Sequence, residues 1–250
     1  MMNVVAKWPS ENFLRCLYCH YVFDDQKEDF ERIVTHLRSI GTFINTAKCI
    51  SMAEGRRPID GQYFHLSFDD GFRNIYTNAL PILERLEIPA ITFVPSAMIG
   101  ADPEATEKFC VQVLEHNQAI EMMTWDEVTN LVARGYEIGS HTRRHSRLSE
   151  ASSDNELLED EIIGSKREIE DRLGQPCDYI AWPFGTQLDI DKTSINLVRE
   201  SGYKACFGAY RGSVDVGRTS VFEIPRHHFE PQWPISHVTL FAKGNFESTS

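Results

Sequence analysis

The chain has 250 residues, 42% hydrophobic and 25% charged, with a formal net charge of −12. That length buries a full core as one large α/β domain or two small ones. The acidic balance, without a long basic tract, excludes nucleic acid as a partner and gives no attraction to an anionic membrane surface.

The start, residues 1–9, lacks the basic and apolar regions of a signal peptide. No run of about 18 apolar residues is present to span a bilayer. Both point to a cytoplasmic protein, working in the cytosol or on a membrane-associated precursor. A first strand is expected over residues 16–22. Within it Cys16-Leu17-Tyr18-Cys19 has a CxxC spacing. No second CxxC completes a zinc site, and strand residues three apart face opposite ways. We therefore read all six cysteines, Cys16, Cys19, Cys49, Cys110, Cys177 and Cys206, as free thiols.

An amphipathic helix follows over residues 26–39, with Phe30, Ile33, Val34 and Leu37 at helical spacing. A short helix is expected over 46–54. The second strand, 63–68, ends on Asp69-Asp70-Gly71. Adjacent carboxylates on a straight strand point to opposite faces, so a shared site requires the strand to end there. A helix over 75–86, bent near Pro81, leads to a third strand at 88–94. Thr124-Trp125-Asp126-Glu127 is a capping box opening a helix to Arg134. A fourth strand, 136–140, runs into His141. A long helix is expected from Ser153 to Leu173, stopped by Gly174. Strands follow at 179–182, 203–209 and 221–228, with helices at 193–201 and 236–243 and a frayed tail from Gly244. No repeat or linker interrupts the alternation, so residues 1–250 read as one domain. The alternation predicts a parallel sheet or barrel wrapped by helices. In such folds sites form at the carboxyl ends of the strands. Asp69-Asp70, His141, Pro183-Phe184-Gly185 and Arg226-His227-His228 all lie at such ends.

Ser140-His141-Thr142-Arg143-Arg144-His145 spaces two histidines four apart, which on a helical turn would share a face. Two imidazoles and one carboxylate form a facial set for a divalent metal. A second carboxylate then remains free to take a proton.

Taken together, these motifs resemble the NodB-like polysaccharide deacetylases, the family-four carbohydrate esterases. Ser67-Phe68-Asp69-Asp70-Gly71 looks like the family's Asp-Asp-Gly motif, residues 140–145 like its His-Ser/Thr-x-x-His motif, and Trp182-Pro183-Phe184-Gly185 like its Pro-aromatic-Gly groove motif. The resemblance spans residues 14–229. It implies a distorted (β/α) barrel with about seven parallel strands. It implies Asp69 as general base, with Asp70, His141 and His145 holding one divalent ion, usually zinc. Phe184 would supply an oxyanion N–H, and Trp182 would join it on the sugar-binding side. The family often carries an arginine two places before the groove proline, where this chain has Ala181. Arg226 could supply that charge. If Arg226 faces the site, strand alternation makes His228 a better acid for the leaving amine than His227.

The leading function is metal-dependent removal of an N-acetyl group from an amino sugar in a polysaccharide or glycan precursor. A deformylase or other linear-amide hydrolase on the same fold is the alternative enzyme. A catalytically silent glycan-binding module is the alternative of another class.

Overall fold

A computed structural model describes residues 12–243. The start, residues 1–9, and the tail from Gly244 fall outside the described residues. The strands are β1 (Phe13–Cys19), β2 (Thr42–Phe43), β3 (Gln62–Phe68), β4 (Ile91–Val94), β5 (Glu137–Ser140), β6 (Tyr179–Ala181), β7 (Ala205–Phe207) and β8 (His227–His228). Every pairing is parallel. Seven strands follow the order β7-β6-β5-β4-β3-β1-β8, with β2 added against β3. The segment before β8 reaches both edges. Ile224 bridges to Phe207 of β7, while His227 and His228 pair with Leu17 and Tyr18 of β1. The sheet therefore curls into a distorted (β/α) barrel with seven parallel strands in its main path, as anticipated. Because residues 221–228 change partner midway, only two of them form a regular strand.

The helices are α1 (Lys27–Ile40), α2 (Thr46–Ala53), α3 (Leu80–Arg85), α4 (Pro103–Lys108), α5 (Trp125–Ala133), α6 (Leu148–Ala151), α7 (Asn155–Glu159), α8 (Ser165–Leu173), α9 (Lys192–Glu200) and α10 (Ile235–Ala242). Strand alternation divides the core. Phe64, Leu66 and Phe68 of β3 face outward onto Phe30, Ile33, Val34 and Leu37 of α1. Ile138, Ile180 and Cys206 pack with Val128, Leu131, Ile169 and Val198 from α5, α8 and α9. The interior holds Leu14, Cys16, Ile91, Phe93, Tyr179, Ala181, Ala205 and Phe207. Cys49, Ile50 and Met52 of α2 join that interior cluster, so α2 plugs the end of the barrel where the strands begin. Polar groups are left to the other end.

The long helix expected up to Leu173 is interrupted. Between α7 and α8 the chain makes one wide turn with i→i+5 bonding, Asp160–Gly164. Its cap is Asp154, one residue later than the sequence pattern suggested, accepting from the N–H groups of Glu156 and Leu157. Such a turn inserts a residue into the helix and often marks a functional neighbourhood. Here it delivers Glu161, fully buried, to the strand-end loops. Among the described residues no helix is long and apolar enough to cross a membrane.

Candidate active site

The turn after β3 is built from two consecutive left-handed residues, Asp70 (φ 69°) and Gly71 (φ 73°). This breaks the strand's alternation, so Asp69 and Asp70, each 2% exposed, serve one buried pocket. Gly71 also allows a close approach, since a Cβ there would lie 2.9 Å from Ile99 Cδ1.

His141 and His145 do not lie on a helical turn. Residues 141–147 form an irregular loop with left-handed Thr142 (φ 61°) and His145 (φ 65°). The loop is pinned from the wide helical turn. Glu161 accepts from the backbone N–H groups of Arg143 (3.1 Å) and Arg144 (2.9 Å). Ser165 Oγ donates to the Thr142 carbonyl at 2.9 Å. His141 Nδ1–H donates to the Ala181 carbonyl at 2.8 Å. In the neutral ring that leaves the Nε2 lone pair facing Asp70 Oδ1 at 3.6 Å. His145 Nε2 is 3.3 Å from the same oxygen. Burial pushes the His141 imidazolium down to about 4, so this ring is neutral at pH 7. Burial pushes Asp70 up, but His145 and the other imidazoles outweigh it and hold the carboxyl well below the usual range. Asp70 Oδ1 is buried without a hydrogen-bond partner. The three donor atoms lie within 4.8 Å of one another. Lone pairs converging in a dry pocket repel unless a cation sits among them, and this donor set fits a divalent ion.

Asp69 is held differently. Arg226, fully buried, donates through Nη1 to Oδ1 at 2.7 Å and through Nη2 to Oδ2 at 2.8 Å. Its Nη1 also donates to Ser67 Oγ at 3.0 Å and its Nε to the Gly208 carbonyl at 2.6 Å. Its guanidinium carbon lies 4.5 Å from the centre of the Tyr18 ring. The guanidinium thus reaches Asp69 from the last strand segment, while Ala181 contributes no charge. Burial pushes Asp69 up, yet the Arg226 charge prevails and keeps its carboxyl below the ordinary range.

The two neighbouring histidines separate by strand alternation. His227 is fully buried, and its Nε2–H donates to the Gly212 carbonyl at 3.1 Å. His228 is partly exposed and lies beside Tyr18 and His20, with ring centroids at 5.1 and 5.2 Å. Glu230 Oε1 is 2.9 Å from His228 Nε2.

The groove residues also divide. Phe184 (φ 61°) is 40% exposed at the rim. Its ring centroid lies 5.0 Å from that of His145 and 4.0 Å from the Arg147 guanidinium carbon. Its N–H has no partner among the described residues. Trp182, in contrast, cannot be a sugar platform in this structure. It is 1% exposed, packs in the outer core, and donates its indole N–H to the Thr186 carbonyl at 3.0 Å. Strand β6 aims Ala181 inward and therefore Trp182 outward. Four residues escaped the sequence reading: Tyr18, Arg147, Glu161 and Asp189. Arg147 pairs with buried Asp189, which accepts from the Thr186 N–H at 2.8 Å and so ties the histidine loop to the Phe184 loop. Arg147 follows His145 by two residues, but nothing in sequence distinguishes Glu161 from the other acids of its helix.

The sequence profile described as polysaccharide deacetylase matches residues 56–206. A poly-beta-1,6-N-acetyl-D-glucosamine N-deacetylase of Escherichia coli K12 is 24% identical over 73% of this chain and 30% of its own length. The enzyme of that name from Staphylococcus aureus MRSA252 is 26% identical over 64% of this chain and 52% of its own. This chain thus spans about half or less of the length of these relatives. The structure of IcaB from Ammonifex degensii superposes with a TM-score of 0.77 at 21% identity, covering 93% of this chain and 98% of that one. That likeness is one of fold.

Proposed function

The chain belongs to the polysaccharide deacetylase family, and from that premise we propose that it hydrolyses the N-acetyl group of an amino sugar within an N-acetylglucosamine polymer. The observation that carries this reading is the division of labour between adjacent carboxylates. Asp70 turns to two imidazoles, while Asp69 is clamped by a buried guanidinium. Asp70, His141 and His145 would hold one divalent ion, for which zinc suits the two imidazoles and one carboxylate. Such an ion, when bound, polarises the acyl oxygen and acidifies water.

The remaining steps belong to the chain's own groups. Asp69, kept ionised by Arg226, accepts the proton of the attacking water. The unpartnered Phe184 N–H donates to the oxygen that gains charge as the carbonyl carbon becomes tetrahedral. His228, beside His20, donates a proton to the departing amine. The two long arms of the loop network, Glu161 and the Arg147–Asp189 pair, keep His145 and Phe184 in register.

The test is acetate release from β-1,6-linked N-acetylglucosamine oligomers, alongside matched N-formyl oligomers and simple linear amides. Faster turnover of the acetylated oligomer supports the proposal. Turnover confined to formyl or linear amides refutes the substrate assignment. Oligomer binding without turnover in the metal-loaded protein refutes the reaction.

A further inference from the structure

A second cluster of metal-ligating side chains lies inside the barrel, toward the α2 plug and away from the pocket described above. Cys16 of β1 and His65 of β3 are register partners on adjacent strands. Both side chains face the interior, where α2 brings Cys49 against them. All three are buried to 1% exposure or less. Their donor atoms lie within 4.8 Å of one another.

The hydrogen bonds fix which nitrogen of His65 is free. Thr46 Oγ1 donates its single hydrogen to Glu137 Oε2 at 2.6 Å. It is also 2.9 Å from His65 Nε2, so there it must accept, and Nε2 carries the ring proton. Nδ1 of the neutral ring is then a bare lone pair, and it is buried without a hydrogen-bond partner. A carboxylate, through a hydroxyl, orients the imidazole in the manner that commonly supports metal-binding histidines. The two sulfurs are 3.7 Å apart. Two thiolates on one tetrahedral zinc ion, each about 2.3 Å from it, would be separated by about 3.8 Å. A disulfide needs about 2.05 Å, and both cysteines are free thiols here.

We infer that Cys16, Cys49 and His65 form a second, three-donor metal site for a thiophilic d10 cation, with Zn2+ as the ion that balances the charge. Binding releases two thiol protons to solvent and forms two sulfur–metal bonds and one nitrogen–metal bond. Two thiolates and a neutral imidazole around a dication leave no net charge in the barrel, whereas Cu+ would leave one negative charge. With no exposed path, the ion enters as the chain folds, and the site links β1, β3 and α2.

The experiment follows sulfur–metal bonding, which the Asp70, His141 and His145 group cannot produce. The full chain is refolded with Cd2+, and thiolate-to-metal charge transfer is read in the ultraviolet. Metal content is also measured after expression with Zn2+, and Cu+ is offered separately to the refolded chain. The expected result is a charge-transfer band in the unmutated chain that is absent from Cys16→Ser/Cys49→Ser. Zinc should fall from two equivalents to one in that variant, and likewise to one in His141→Ala/His145→Ala. His65→Gln, which retains a donor to Thr46, should lower zinc retention on dialysis at least tenfold. If the double cysteine variant does not fold, the band in the unmutated chain decides alone. No band, unchanged metal in the cysteine variant, or a Cys16–Cys49 disulfide in the purified protein overturns the inference. Preference for Cu+ over Zn2+ overturns the assignment of the ion.

Discussion

Replacing Arg226 probes the arrangement most directly. The side chain makes two parallel charge-assisted bonds to Asp69, at 2.7 and 2.8 Å, with both groups removed from solvent. Lysine keeps the charge but lacks the planar fork, so Arg226→Lys forfeits at least one of the two bonds. A hydrogen bond to a charged group contributes about 1.5–3 kcal/mol. If the lost bond aims Asp69 at the water only in the transition state, kcat falls roughly ten- to hundred-fold, at about 1.4 kcal/mol per factor of ten. KM and bound metal should be unchanged. Arg226→Ala is harsher, because it strands a buried carboxylate. Removing one member of a buried pair costs about 3–5 kcal/mol, to be read as a lower urea midpoint at pH 7. Steady-state kinetics with metal analysis on the lysine variant is the deciding assay. Wild-type kcat with an unaltered pH profile in Arg226→Lys would show that the fork does not position the base.

The other substitutions report on separate parts. Asp69→Asn should reduce kcat by at least about a hundredfold, the low end for loss of a general base, with metal content retained by direct analysis. Removal of the imidazole in His228→Ala should abolish the basic limb of the pH–rate profile, and a normal basic limb in that variant would assign the acid elsewhere. Trp182→Ala should cost about 3–5 kcal/mol of stability, as for other large buried aromatics, while Trp182→Phe should bind oligosaccharide normally in a titration. Burial holds His227 at about 4 against its ordinary 6.5, so the unfolded chain takes up a proton first as pH falls through that window. Stability present above about 6.5 is therefore lost toward pH 4, by roughly 3 kcal/mol in total from this residue. His227→Gln should flatten that decline in urea unfolding between pH 7 and 4.5, and an unchanged slope would contradict it.

The outline of the fold is local information. The periodicity of Phe30, Ile33, Val34 and Leu37 fixes α1 and its buried face, and Thr124 with Glu127 makes the capping box that starts α5. The apolar runs that end at Asp69, His141 and Pro183 locate the strands and place polar residues at their carboxyl ends. Side-chain alternation also separated His227 from His228 and Cys16 from Cys19, because a strand's two faces are set by counting residues. Tertiary structure decided what counting cannot. Asp69 and Asp70 share a pocket because two left-handed residues, Asp70 and Gly71, break that alternation. His141 and His145 meet across an irregular loop whose shape depends on Glu161, a carboxylate supplied from a wide helical turn. Trp182 faces the core because β6 extends inward contact only through Ala181. The meeting of Cys16 with Cys49 and His65 depends on how α2 closes the barrel. In each case the determining contact joins residues distant in the chain or rests on a single backbone dihedral. Neither leaves a periodic trace in the sequence, and only the closed sheet brings the groups within bonding distance.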